Sequence, residues 1–558
     1  MKKTLVIIPF LLIVLLSNAQ SWEWVKTGDS KNTEYSDNIC VDYSGNVFVM
    51  GQSETDVSFG TITLTSAKAR FGYLTKYSPN GDVLWAIKII DSDDGLYELM
   101  SLTTDPSGNV AVVGYFADTQ TILDEAFTSV GSGNGDSFII KLNPAGEKQW
   151  IRTGGGQLSD NAYDIVSDNA GNFYVAADFI EEATYGTFSV TAESVNFSNS
   201  ILIIKYLPEG TVEWVSQAGG LSYDYPTGIA YDGSKLFITG HTSSSDAAFG
   251  EHIAHYDGIT CGFFAQLDPA DGIFDWAKVI DARVTVTGLI KEENCHIAVD
   301  DNAIYISGSY YGHANFGNSI SFDSEGENGY LASYTKSGNL NWAYEVVTES
   351  GGIPSSLSVS DGNAYIVGNY VTSVTINENE LVGTPPGGMF LYLSNAYIYS
   401  FSGAGDVNWA KSIDAYYSSS FDAGSAIVNG VAAFNDYVYT SGDLTKTIDF
   451  PPFEITSNNS IDVFLAKIST LTSSVESINT RLKVNVYPNP CSDILNVEFD
   501  SKLIQEISLM DLSGRELVAF HSDNIGAKLI DLSSFKSGIY ILTISSKEEK
   551  RSIKIVKN

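Results

Sequence analysis

Cysteine, histidine and basic side chains are all scarce in this 558-residue chain. Four cysteines, Cys40, Cys261, Cys295 and Cys491, are too few for a scaffold built on disulfides, and three full pairings stay open. Cys261 and Cys295 are closest in sequence and would join neighbouring repeats; buried free thiols are the simpler expectation. Only 31 Lys and Arg face 67 Asp and Glu, a net charge of −36. That balance argues against nucleic acid as a partner, since phosphate neutralisation needs clustered cations. Long apolar runs are also missing after the first twenty residues, so no integral membrane segment is expected in the mature protein. Catalytic signatures are absent too: there is no GxSxG elbow, no HExxH, no P-loop and no sialidase-type Asp box. Asp91-Ser92-Asp93-Asp94-Gly95 begins like a calcium loop, but Leu102 stands where a bidentate Glu is required.

What is present is organised. Lys2 and Lys3, an apolar run from Leu5 to Leu16 and the small residues Ser17-Asn18-Ala19 read as a signal peptide over residues 1–19, with cleavage before Gln20. The 31 Tyr and 28 Phe supply ample core. Seven of the eight tryptophans recur with a period of about 64 residues, at Trp24, Trp85, Trp150, Trp214, Trp276, Trp342 and Trp409. The last six each follow a glycine by four positions: Gly81, Gly146, Gly210, Gly272, Gly338 and Gly405.

Around each GxxxW the chain alternates apolar and polar residues on both sides of a Pro/Gly turn, the pattern of a β-hairpin. A second turn about 20 residues on carries Asp42, Asp105 or Asp168 in DxxGN, where the carboxylate is expected to bond its own turn amides. Each repeat therefore supplies about four antiparallel strands and no helix. Seven such units predict an all-β, seven-bladed propeller over residues 20–470. Its ring is expected to close by pairing Trp22-Glu23-Trp24-Val25-Lys26 with Asp462–Ile468, which hides both sheet edges.

Residues 471–483 form a polar linker, and a second all-β pattern of a small β-sandwich fills 484–558. Charge separates the two parts. Residues 20–473 hold 18 basic and 56 acidic side chains, a net −38, whereas those from 474 onward are neutral.

The DxxGN, FxxKYxxxG and GxxxW repeats resemble the SBBP type of seven-bladed propeller repeat of secreted bacterial proteins, a likeness that implies fold and carries no shared chemistry. LDPADGIFDW also looks like the tryptophan-docking motif of quinoprotein propellers, whose eight blades and calcium-bound quinone do not match seven longer repeats. The tail resembles a type A sorting domain of the type IX secretion system. The residues that carry the likeness are Pro488, Asn489 and Pro490, then Met510-Asp511-Leu512-Ser513-Gly514-Arg515, then Ser537-Gly538-Ile539-Tyr540. It implies the type IX machinery as a partner, and release or anchoring at the outer surface of the cell.

Two constellations are candidate sites. His241, His252 and His255, with Cys261, Cys295 and His296 nearby, could ligate zinc, although residues three apart on a strand face opposite sides. A loop recurring before each DxxGN hairpin carries Asp37, Asp94, Tyr97, Asp160, Tyr163, Asp224, Tyr225 and Glu293. A propeller would gather these loops on one rim, where carboxylates could hold Ca²⁺ and tyrosines could meet a glycan or protein. The expected function is an exported, non-catalytic, acidic binding or adhesion module. The alternatives are a secreted carbohydrate-active enzyme using rim carboxylates, and a structural spacer.

Overall fold

The computed structural model describes residues 20–557, apart from 31, 94–95, 132, 194–196, 257–259, 283–294, 349–351, 384–393, 416–423, 458–460, 471–483, 488–490, 500–503, 512–514, 522–526 and 547–549. The signal-peptide reading, Asp94, Glu293, the Pro488-Asn489-Pro490 motif and Gly514 all fall outside the described residues. The chain divides into two compact units, Gln20–Leu471 and one that includes Thr472–Asn558.

Every described element of the larger unit is a strand or turn. Its building block is a four-strand antiparallel meander. In the first, Glu34–Val41, Val47–Ser53, Arg70–Tyr77 and Val83–Ser92 pair in that order. The sequence reading expects four strands per repeat, yet most sheets have six. The extra two are a short hairpin borrowed from the following repeat: Thr119–Ile122 and Glu125–Thr128 lie between the second and third strands of their own meander, but pair with Val83–Ser92 of the preceding one. The hairpin covers an outer edge that would otherwise offer free backbone donors and acceptors. In one place the borrowed hairpin is continuous with its parent strands. The long Ala303–Gly317 and Ile320–Thr335 then fuse two meanders into one ten-stranded sheet.

The first strands of the meanders pack one upon the next in a closed cycle: Glu34–Val41, Tyr97–Thr104, Ala162–Ser167, Asp224–Tyr231, His296–Val299, Pro354–Ser360, Ser425–Phe434, and back to Glu34–Val41. The core lies between neighbouring sheets. One cluster joins Ala111, Val113 and Ile139 of one meander to Phe173, Val175, Leu202 and Ile204 of the next. The cycle closes at the chain ends, where Trp22–Ser30 pairs antiparallel with Asp462–Ser469 and Trp24 faces Lys467.

The GxxxW repeat is a latch between meanders. The Nε1 of Trp24, Trp85, Trp150 and Trp214 donates to the carbonyl of Pro79, Pro144, Pro208 and Pro269 respectively, at 2.9–3.3 Å, each in the hairpin turn of the next meander. The turn glycine has positive φ and leaves room for the indole; at Gly210 (φ +86°) a Cβ would stand 2.7 Å from Trp150. The Asp of DxxGN bonds its own turn: Asp42 Oδ1 accepts from the amides of Ser44 and Asn46 at 2.9 Å, and Asp105 and Asp168 repeat the pattern. All four cysteines are free thiols; Cys295 lies 3.1 Å from the hydroxyl of Thr239.

In the smaller unit, a three-stranded sheet (Val484–Tyr487, Ile494–Phe499, Ala527–Asp531) and a four-stranded sheet (Glu516–His521, Ile504–Asp511, Gly538–Ser546, Lys550–Lys557) share one core of Leu495, Val497, Leu509, Leu542 and Ile555. Cys491 is buried there, its amide donating to Val556 at 2.8 Å. Tyr540 donates its hydroxyl to Lys536 at 2.6 Å, and Gly538 opens a strand.

Candidate functional site

The loops that open the first strands are where the sequence places its carboxylates and tyrosines, and strand register shows that these residues are not equivalent. Asp160 and Asp224 share one position with Glu34 and Tyr97, two residues ahead of the residue that precedes a β-bulge. Asp160 Oδ2 accepts from the amide of Gly156 at 2.6 Å, and Asp224 Oδ2 from Gly220 at 2.6 Å. Asp224 also accepts from Thr242 and Ser244. Both are fully buried staples of their own loops rather than exposed rim ligands. Burial pushes the Asp160 carboxyl up to about 8.

The tyrosines are corrected in the same way. Tyr97, Tyr163 and Tyr225 are 1%, 7% and 4% exposed, so they form no open aromatic platform. Tyr163 donates to Asp178 at 3.1 Å and packs 6.3 Å from Tyr225. They are the apolar infill of the loops. The exposed rings and aliphatic groups at this place in the repeat are instead Tyr35, Leu96, Leu221 and Tyr223.

Asp37 differs from Asp160 and Asp224 because it is the extra residue of the bulge between Ser36 and Asn38. The same bulge recurs at Met100, Tyr163, Thr227, Ser355 and Asn429. Around it, first strands bond to their neighbours: Asn38 Nδ2 to Met100 O, Ser101 Oγ to Asp164, Thr227 Oγ1 to Cys295 O, Ser355 Oγ to Val428 O and Asn429 Nδ2 to Ser36 O, at 2.5–3.3 Å.

At Asp37 this framework holds a polar cluster drawn from three meanders. Gln52 Nε2 donates to Asp37 Oδ2 at 3.0 Å and to Glu98 Oε2 at 3.2 Å. The guanidinium of Arg70 lies 5.2 Å over the Tyr97 ring and 3.9 Å from Glu98. Asp443, from the closing meander, accepts from the Ser36 amide at 2.8 Å and from Asn429 Nδ2 at 2.9 Å. Burial, reinforced by Glu98 and Asp443, raises the Asp37 carboxyl well above the usual carboxylate range; Asp443 is pushed up to about 7 by burial. Gln52, Arg70 and Glu98 come from different strands and share no local motif, so only the pairing register brings them to Asp37.

The histidines do not converge. His241 is buried with its ring 5.7 Å from Tyr225, and burial lowers it to about 4. His252 Nε2 bonds the carbonyl of Phe274 at 3.1 Å, and His255 Nδ1 bonds Asp246 at 2.7 Å. The two lie on one short strand, His252–His255, and use different partners. Among the described residues no group of three His, Cys, Asp or Glu is placed to hold a metal ion. No helix among the described residues is long and apolar enough to cross a membrane.

The smaller unit is decided by a family comparison. Residues 485–558 match the secretion system C-terminal sorting domain. The sorting domain marks the chain for secretion or cell-surface attachment and implies interaction with the type IX secretion machinery. The chain is 22% identical over 250 residues to an uncharacterized WD repeat-containing protein of Acanthamoeba polyphaga mimivirus, a match covering 37% of this chain and 18% of that protein. The chain thus spans about a fifth of the length of that relative. Among solved structures, the phage phi92 endosialidase aligns with 96% of this chain and 88% of its own at 10% identity and TM-score 0.36. The quinohemoprotein alcohol dehydrogenase of Comamonas testosteroni aligns with 85% and 79% at 11% identity and TM-score 0.36.

Proposed function

We propose that the chain is an exported seven-bladed β-propeller that serves as an extracellular or cell-surface binding module, delivered by its sorting domain. The observation that carries the reading is the division of labour on the first-strand loops. Their buried carboxylates, Asp160 and Asp224, are spent on loop amides, while Tyr35, Leu96, Leu221 and Tyr223 stay exposed at or just before the starts of the first strands and can meet a ligand. A signal peptide over residues 1–19 and a ring of SBBP-like repeats belong to the same proposal.

One observation favours a second reading, a carbohydrate-active enzyme: Asp37 and Glu98 are held close together and Asp37 has a raised pKa. Against it, the Gln52 amide nitrogen sits between the two carboxyls, within hydrogen-bond reach of both. A nucleophilic water or a glycosidic oxygen would need that space.

The test is fractionation of cells expressing the full chain or a chain lacking residues 485–558. The full chain is expected outside the outer membrane and the truncated one inside it. Equal export of both would overturn the delivery role. Incubation of the full chain with neutral oligosaccharides should release no new reducing ends; release lost in Asp37→Asn would overturn the non-catalytic reading in favour of the enzyme.

A further inference from the structure

The Asp37 cluster has more hydrogen-bonding capacity than the protein uses. Gln52 is 5% exposed, yet its Oε1 is buried without a partner although its Nε2 serves two carboxyls. Tyr97 is 1% exposed with an unpartnered hydroxyl, and Asp37, Glu98 and Arg70 all act electrostatically on that phenol. Unmet polar groups of this kind are costly to bury, so they favour a ligand that brings its own hydrogen-bonding groups. Beside them Arg70 and Glu98 remain about one-third and two-fifths exposed, and the Tyr35 ring is 41% exposed. Tyr35 stands directly opposite Gln52 in the strand pairing, so ring and cluster are neighbours.

Charge narrows the ligand. Within the cluster the Arg70 cation offsets Glu98, and burial holds the Asp37 carboxyl well above the usual carboxylate range, so the patch carries no strong local preference for either sign. The unit around it carries −38, which repels anionic polymers. Divalent cations are not served, since among the described residues no three carboxylates are set around one point.

We propose that Tyr35, Asp37, Gln52, Arg70 and Glu98 form a binding site for a neutral, hydroxyl-rich ligand, a saccharide whose apolar face stacks on Tyr35 and whose adjacent hydroxyls pair with Gln52, Glu98 and Arg70. The assignment rests on the binding-module reading and names its ligand class. Stacked rings and paired hydroxyls together supply the mixed apolar and polar contact that an exposed phenol beside polar groups is suited to make.

The experiment is calorimetry and saturation-transfer NMR on the full chain with neutral hexasaccharides of glucose, mannose, galactose and xylose, alongside hexagalacturonate and hexalysine. At least one neutral hexasaccharide is expected to bind, with saturation strongest at one sugar face. Tyr35→Ala and Glu98→Gln should each weaken it about tenfold or more while the melting temperature falls by no more than about 4 °C, since each side chain is about two-fifths exposed. Preferential binding of hexalysine or hexagalacturonate would overturn the neutral assignment, as would binding untouched by both substitutions or no neutral binding at 10 mM, roughly the weakest affinity a useful site would have. A chain delivered to the surface that binds no neutral saccharide loses only this assignment. Failure of delivery would strike the earlier reading and leave saccharide binding measurable.

Discussion

Trp150 and Gly210 stand against each other across two meanders: the indole donates to Pro208 at 2.9 Å, and its ring fills the place where a Cβ on Gly210 would lie. The Asp268–Gly272 turn is one residue longer than Leu207–Gly210 and still keeps both contacts, with Trp214 Nε1 on the Pro269 carbonyl at 3.3 Å and a Cβ on Gly272 set 2.8 Å from the indole.

Gly210→Ala should therefore cost about 2–4 kcal/mol, combining a left-handed backbone with a clash against Trp150. Gly233→Ala is the control. It has φ +95° with nothing within 4 Å of the added carbon, so only the backbone term of about 1–2 kcal/mol applies. Denaturant unfolding of the two variants should rank them in that order, and equal losses would refute the latch.

At the closing seam the two tryptophans are unequal. Trp22 is 3% exposed and meets Phe450 edge-on at 5.1 Å, whereas Trp24 is only half-buried. Trp22→Ala is expected to lose about 3–5 kcal/mol and Trp24→Ala clearly less. The sequence alone points to Trp24, because it is the one in the repeat. Urea melts of the two variants decide between them.

Stability should fall as pH rises from about 5 to 8.5. Glu34, buried with Oε1 unpartnered and with Asp29, Asp443 and Asp462 nearby, is raised to about 8 chiefly by burial. A raised folded-state pKa means that the native state holds the proton more tightly. The stabilisation is complete below the unfolded value of about 4.5 and is lost as pH climbs through about 8. Asp160 and Asp443, raised to about 8 and about 7, act in the same direction. Melting temperatures across this range should decline in the native chain and less steeply in Glu34→Gln; parallel slopes would remove Glu34 from the account.

Melting temperatures in chelator and in millimolar calcium should agree within error. Asp160 and Asp224 already accept bonds from their own loops, and freeing them for a cation would strand the Gly156 and Gly220 amides. An upward shift with calcium would show that a cation competes with those bonds.

The repeat was legible because its physics is local: a positive-φ glycine, an indole four residues on and an Asp-bonded turn each leave a mark in consecutive letters. The borrowed hairpins were not, since their pairing partner lies in the preceding meander. The candidate site was half visible. Asp37 stood out as a loop carboxylate but resembled Asp160, and only the bulge register separates one from the other. Gln52 and Arg70 look like ordinary polar positions of strands until the adjacent meander supplies Glu98.

The strand that completes the last sheet, Trp22–Ser30, precedes every other described strand in the chain. Gln20 Nε2 reaches the carbonyl of Thr470, 450 residues later, so the circle cannot be sealed until almost the whole propeller has left the ribosome. Until then the chain is an open arc with two unsatisfied ends, and the sorting domain follows the sealing strand in the chain. Any machine that recognises that domain meets a polypeptide whose ring already has every part it needs to lock.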